Sequence, residues 1–458
     1  MPNSTAMCLI LIFTLVVVFT NSTNSMGKIA IGYYTWWSRW NYPYDAVKYE
    51  NLTHIAHAFI WPNSNGSLNI PSDFRYPELV QAAHQKGLPV IVSVGGWGQS
   101  DAFSPMAADS NARKQFVSEL RDFCLKNGYD GADIDWEYPT SSDRLNATLL
   151  FKELREAFNN TRPPLTLSIA APATDWREGY DFPAVKDLLD WIGIMTYDFH
   201  GTWTNHAGHN SPLYAPTSDQ EGSVHQSVQY YLSKGISPEK LCIGLAFYGR
   251  LFNASRLYGP STGGNAISYA DIIAKEDSGW TYHWDSISYV PYITNPSNTQ
   301  LITFDDTISI RHKCDYIKDK NLHGAIIWAL GYDNLGNHQP LLETVGKELG
   351  FTLTYAQESL IGHSAPEYVL QQNYPNPFNS QTVITYTIEQ SPAFVKLTIY
   401  DVLGREVATL ARGWKLPGTY TVMFNPEASS LDPVASGAYL CRLNVNGKSS
   451  AKTMLYVK

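Results

Sequence analysis

The chain has 458 residues, room for two or three domains at about 150 residues each. Its formal net charge is −9, with no basic block along it; this excludes nucleic acid or an anionic membrane as the main partner and suits a neutral ligand better. Aromatics make up 13% of the residues, and 12 of the 13 tryptophans precede residue 350, leaving only Trp414 in the tail. That skew predicts an indole-lined groove in the first part of the chain.

The first element is the apolar run MCLILIFTLVVVFT at residues 7–20, of signal-peptide length and too short to span a bilayer comfortably. Residues 1–25 are read as an export signal cleaved near Ser25, although no Lys or Arg precedes Met7. No membrane span is expected after cleavage. Four cysteines then remain, Cys124, Cys242, Cys314 and Cys441, without the CxxC spacing of a zinc site. Apolar neighbours at helical or strand spacing predict that they are buried free thiols.

Up to residue 350, short β-branched or aromatic runs alternate with longer amphipathic stretches, the pattern of parallel strands joined by helices. Eight strand-like runs stand out: KIAIGYY, HIAHAFI, PVIVSVGG, GADIDWE, LTLSIAAP, WIGIMTYD, KLCIGLAFY and GAIIWAL. Eight β/α units close a (β/α)8, or TIM, barrel, here over residues 27–350. Such barrels gather their chemistry at the carboxyl ends of the strands. Gly95, Gly96 and Trp97 are placed at the end of the third strand, Glu137 and Tyr138 at the fourth, and Tyr197 and Asp198 at the sixth. Tyr248 and Arg250 are placed at the end of the seventh, and Trp328 within the eighth. Residues 251–300, rich in Tyr, Ser, Gly and Asn, are too long for a simple loop and read as a small α+β insertion. Residues 351–367 have no clear period and serve as a linker. Residues 368–458 alternate as short strands with turn residues between them, an Ig-like β-sandwich.

The most informative run is YDGADIDWEYP. Alternation points Asp133, Asp135 and Glu137 to one face and Ala132, Ile134 and Trp136 to the other. Three anions about 6.6 to 7 Å apart along a strand cannot all stay charged cheaply in a poorly solvated interior, so at least one should hold a proton near neutral pH. Glu137, at the strand end, is best placed to give a proton to a ligand above the barrel. The same oxygens could form a buried structural ladder or bind a hard metal ion. The tryptophans favour a sugar, because flat indoles stack on pyranose faces.

These residues carry a family likeness. DGADIDWEYP, SVGGW at Ser93–Trp97, MTYDFHGTW at Met195–Trp203, GHNSPLY and LAFYGR together resemble glycoside hydrolase family 18 chitinases over residues 28–340. The resemblance implies retaining, substrate-assisted hydrolysis of β-1,4 N-acetylglucosamine linkages in chitin and its oligosaccharides. In that scheme Glu137 is the acid, Asp135 orients the substrate's acetamido group, Asp133 supports Asp135, and Tyr197 bonds the acetamido carbonyl. It further implies a sugar-binding set of Tyr33, Trp37, Phe59, Gly96, Trp97, Met195, Asp198, Trp203, Tyr248, Arg250 and Trp328. No cofactor and no metal are expected; His200 and His209 have no evident third partner and read as loop hydrogen-bonding residues. Glycoprotein glycans, peptidoglycan, or a sugar-binding role without catalysis are the competing functions.

The tail, with LQQNYPNPFNSQTVITYTI, VKLTIYDVLGREVATL and a closing KTMLYVK, resembles the C-terminal sorting domain of type IX secretion cargo. That likeness implies secretion machinery as a partner and a secreted or cell-surface location. The protein is expected to be a monomer.

Overall fold

The computed structural model describes residues 27–276, 278–351, 368–388, 393–402, 404–426, 435–445 and 448–458. The proposed export signal, and all of the proposed linker except residue 351, lie outside the described residues. The chain forms two compact units, one running to Tyr332 and including Thr344–Leu349, the other comprising Asp333–Glu343 and Gly350–Lys458.

In the first unit, eight parallel strands close on themselves: β1 (Ile29–Thr35), β2 (His54–Pro62), β3 (Val90–Gly95), β4 (Gly131–Asp135), β5 (Thr166–Pro172), β6 (Trp191–Met195), β7 (Leu241–Ala246) and β8 (Gly324–Trp328). Neighbours in sequence are neighbours in space, and β1 pairs with both β2 and β8. This is the (β/α)8 barrel that the alternation anticipated. Most strand residues are buried, as expected when side chains on one face fill the barrel and those on the other pack under helices. The interior is filled by Ile31, Tyr33, Ala56, Phe59, Ile91, Trp191, Cys242 and Ile326, with Met195 and Trp328 half-buried against them.

The helices outside are amphipathic and capped. Asp109 accepts from the backbone N–H groups of Asn111 and Ala112 at 2.8 and 2.9 Å, starting helix Ser110–Asn127. Gly128, at φ 76°, ends it in the left-handed conformation that favours glycine. One face buries Phe116, Val117, Leu120, Phe123 and Cys124, each large apolar side chain contributing about 2 kcal/mol by leaving water. Cys124, Cys242, Cys314 and Cys441 are all buried free thiols.

After β7 the chain enters an antiparallel five-stranded sheet whose order is Thr262–Ser268, Tyr248–Asn253, Leu301–Thr303, Val290–Thr294 and Thr281–Asp285. Helix Tyr269–Glu276 accompanies it. This corrects one expectation. β7 stops at Ala246, and Tyr248 and Arg250 lie on the inserted sheet, paired with Ser268 and Ala266. The continuous apolar-aromatic run KLCIGLAFY concealed the break, because a strand leaving one sheet and entering another keeps the same alternation.

The second unit holds a three-stranded sheet (Tyr368–Leu370, Thr382–Ile388, Gly418–Phe424) and a four-stranded one (Glu406–Lys415, Ala393–Tyr400, Gly437–Val445, Lys448–Tyr456). Along Thr382–Ile388 every second residue is buried, the period of a sheet with one wet face. Ile384, Tyr386, Val395, Leu397, Leu443, Met454 and Tyr456 form its core.

Candidate active site

Asp133 points into the barrel and is only 1% exposed. Three hydroxyls from three other strands meet its carboxylate: Tyr33 Oη donates to Oδ2 at 2.7 Å, Ser93 Oγ to Oδ2 at 3.1 Å, and Ser168 Oγ to Oδ1 at 2.6 Å. Burial raises its proton affinity, and those three donors work in the opposite direction. Two residues on, Asp135 is 4% exposed and its Oδ1 has no hydrogen-bond partner. Its proton affinity is raised well above the ordinary range by burial first, then by the charges of Glu137 and Asp133.

Glu137 lies just past the strand, its backbone N–H donating to Ser100 Oγ at 2.9 Å. Burial pushes its carboxyl up to about 7; hydrogen bonding with Tyr138 pulls it down, and the Asp198 charge pushes it up again. This gives the ladder a carboxyl that is about half protonated at pH 7, placed just past the carboxyl end of β4. Trp136 turns the other way and stacks on Phe103, centroids 5.1 Å apart, which makes it packing.

The approach of β3 to β4 requires glycine. A Cβ on Gly95 would sit 2.1 Å from the Asp135 carbonyl oxygen, and one on Gly96 2.8 Å from the Phe59 ring. Both have positive φ, and the Gly96 N–H donates to that same Asp135 carbonyl at 2.8 Å. Trp97 follows them and is 81% exposed.

Around the carboxylates stands an aromatic wall. Phe59 stacks on Trp328 at 5.6 Å, Tyr33 meets Trp328 at 5.8 Å, and Trp37 meets Phe59 at 6.4 Å. Tyr197, whose hydroxyl is held neutral by burial and by the nearby carboxylates, lies 6.0 Å from Tyr248. It is seated over Gly244, where a Cβ would come within 2.7 Å of its ring. Asp198 receives hydrogen bonds from Tyr248 Oη and from Arg250 Nε and Nη2. The Arg250 guanidinium in turn lies 4.9 Å above the Trp203 ring. Thus the inserted sheet contributes one side of the site. Trp37, Trp97 and Trp203 are exposed, flat faces available to a ligand.

Sequence reasoning missed several participants. Ser93 stands in the sequence only as part of SVGGW, and Ser168 is one of two hydroxyls, with Thr166, in an otherwise apolar strand, a signal too weak to single it out. Trp176, exposed and 4.8 Å from Tyr138, lies in a loop where no period identifies it. His200 and His209 do hydrogen-bond within loops, His200 Nδ1 with the His209 carbonyl at 3.0 Å and His209 Nε2 with Asp285 Oδ2 at 3.0 Å. His200, however, has partners the sequence did not reveal: His206 and Asp219 bring their ligand atoms within 4.8 Å of it and of each other.

Comparison with known proteins agrees with this geometry. Residues 29–333 match the family model described as glycosyl hydrolases family 18, and residues 372–457 match the secretion system C-terminal sorting domain. The chain is 33% identical over 345 residues to a probable endochitinase of Caenorhabditis elegans, covering 65% of this chain and 55% of that one. It is 34% identical over 285 residues to chitinase A1 of Niallia circulans, covering 54% of this chain and 41% of that one. It therefore spans about half the length of these two relatives. The Group IV chitinase of Ostrinia furnacalis in complex with allosamidin superposes with a TM-score of 0.66 at 31% identity, over 70% of this chain and 98% of that one. With the model spanning the whole barrel and the DGADIDWEYP strand at its centre, the chain belongs to glycosyl hydrolase family 18.

Proposed function

We propose that this chain hydrolyses β-1,4 linkages between N-acetylglucosamine units of chitin and chito-oligosaccharides, with retention and with the substrate's own acetamido group as nucleophile. The observation that carries the reading is the pair at the end of β4: Glu137, whose burial pushes its carboxyl up to about 7, beside Asp135, buried with one oxygen unpartnered. Glu137 gives its proton to the glycosidic oxygen as the bond to the anomeric carbon breaks. The acetamido oxygen closes on that carbon, forming an oxazolinium ion. Asp135, whose burial among carboxylates disfavours full ionisation and so makes it a weak nucleophile, instead accepts a hydrogen bond from the acetamido N–H. Tyr197, a neutral donor, holds the acetamido oxygen in place. Water then opens the ring from the face the leaving group left, Glu137 taking its proton. Asp133, fixed by its three hydroxyl donors, supports the charge that Asp135 shares. Tyr33, Phe59, Met195 and Trp328 shape the pocket of the reacting sugar, with Gly96 leaving room beside Phe59. Trp37, Trp97 and Trp203 stack on neighbouring units, and Asp198, Tyr248 and Arg250 bind their polar groups. The relatives' names, endochitinase and chitinase A1, support chitin as the substrate.

The second unit, with its own core and a sorting-domain match, addresses the enzyme to the cell surface or medium by type IX secretion.

The test is an assay of the purified chain on chitin oligomers, fully deacetylated chitosan oligomers and cellulose oligomers, with the product anomer followed by NMR. Only the acetylated substrate should be cut, and the first product should be the β-anomer. Efficient cleavage of chitosan or cellulose returns the nucleophile to the protein, with Asp135 the first suspect. Preferential release from a high-mannose glycoprotein or from peptidoglycan, assayed alongside, replaces chitin as the substrate.

A further inference from the structure

The connection from β6 to helix Val224–Ser233 carries His200, His206 and Asp219. None has a part in the proposed hydrolysis. Their ligand atoms lie within 4.8 Å of one another, two of the three residues buried and His206 partly open to solvent.

The hydrogen bonds around the cluster fix which atoms are available. His200 Nδ1 faces the His209 carbonyl oxygen at 3.0 Å, and a carbonyl only accepts, so Nδ1 carries the hydrogen. In the neutral ring, Nε2 then presents a lone pair. That nitrogen is fully buried without a well-formed hydrogen bond: Asp219 Oδ1, which accepts from the Glu221 N–H at 3.1 Å, lies 3.4 Å from it. Asp219 Oδ2 is likewise buried without a partner. A lone pair and a carboxylate turned toward each other in a dry pocket repel unless a proton or a metal ion lies between them. His206 repeats the arrangement: its Nδ1 meets Asn205 Oδ1 at 3.1 Å, which leaves Nε2. An imidazole whose Nδ1 is oriented by an oxygen and whose Nε2 is free is the usual disposition of a metal-binding histidine.

Close packing positions His200 and ties His206 to the inserted lobe. A Cβ on Gly208 would lie 2.2 Å from the His200 ring, so the ring occupies space that only glycine leaves. The backbone at His206 is bridged to Pro260, and Tyr258 N–H donates to the Ala207 carbonyl at 3.0 Å, tying the connection to the inserted lobe.

We propose that His200, His206 and Asp219 bind a divalent transition metal, with Zn²⁺ the best fit. Two imidazole nitrogens and one carboxylate oxygen form a donor set suited to zinc, with a fourth position for water. The ligands span residues 200–219 of one loop, so the ion clasps the loop that also bears Trp203. A cluster spread to 4.8 Å contracts on binding, because bonds of about 2.0 to 2.2 Å set ligand atoms closer together.

The experiment uses the untagged full chain, stripped with a chelator, dialysed and titrated with Zn²⁺ by calorimetry, with metal content read after gel filtration. One equivalent should bind, and a hundredfold excess over Kd should raise the thermal midpoint by about 3 °C or more. Co²⁺ in place of Zn²⁺ should give intense visible bands of a four-coordinate site. His206→Ala and Asp219→Asn should each lower affinity at least tenfold. His206 is partly exposed, so its variant should keep the wild-type circular dichroism spectrum and reports on binding rather than folding. Absence of zinc binding in the wild type overturns the proposal, since an imidazolium–carboxylate pair then accounts for the cluster. Equal binding by wild type and a folded His206→Ala chain also overturns it, by placing the metal elsewhere.

Discussion

Tyr33 Oη donates to Asp133 Oδ2 at 2.7 Å across the barrel, from β1 to β4. These residues are a hundred positions apart in sequence, and the bond exists only because the sheet closes.

Removing that donor separates electrostatics from shape. Tyr33→Phe takes away one of three hydroxyls holding down the Asp133 proton affinity, so the Asp133 proton should be held more tightly. The acidic limb of the kcat/KM profile should then move to higher pH, and kcat should fall about tenfold or more, the worth of a hydrogen bond to a charged group. A profile that keeps its shape and falls uniformly would mean that Tyr33 only fills space.

The raised Glu137 carboxyl ties the proposed catalytic role to a pH-dependent stability. In its proposed role as the acid it must carry its proton, so wild-type kcat/KM should fall as pH rises through about 7. Glu137→Gln should lose about 10²- to 10⁴-fold in turnover while still binding oligomers. The folded chain keeps this proton up to about 7 and the unfolded chain releases it near 4.5. Between those values the folded state binds more protons, so stability declines as pH rises. Glu137→Gln removes that loss, and its thermal midpoint relative to wild type should be higher at pH 8 than at pH 5. Parallel pH dependence of the two midpoints would contradict the assignment.

Gly244 is a steric test of Tyr197. Gly244→Ala places a methyl 2.7 Å from the Tyr197 ring and 2.9 Å from both the Ile194 oxygen and the Thr196 nitrogen. Overpacking of this kind costs about 1 to 3 kcal/mol. Thermal unfolding should show that loss, and turnover should fall more than the loss of folded protein explains, because the ring must tilt. Normal turnover in the folded variant would release Tyr197 from its proposed role.

Truncation near His363 tests the division of labour. Among the described residues, the buried core of the second unit's sandwich runs from Leu370 to Tyr456, so activity on soluble oligomers should survive its removal. In a host with type IX secretion, the full chain should reach the surface or medium and the truncated chain should stop in the periplasm. Normal export with loss of affinity for insoluble chitin would make the tail a binding module.

How much of this was legible beforehand follows from the range of the forces involved. Alternation along a strand is local, because successive side chains leave the backbone on opposite faces. It placed Asp133, Asp135 and Glu137 on the inner face, turned Trp136 outward and marked eight strands and a strand-rich tail. Charge repulsion within one strand is nearly as local, and it announced a protonated carboxyl. Only tertiary structure decided which hydroxyls answer Asp133, since Tyr33, Ser93 and Ser168 come from three other strands. It also moved Tyr248 and Arg250 onto the inserted sheet, and gathered His206 and Asp219 around His200. Loops carry no period, so a histidine six residues away and an aspartate nineteen away have no sequence signal of proximity; the packing of the inserted lobe brings them together.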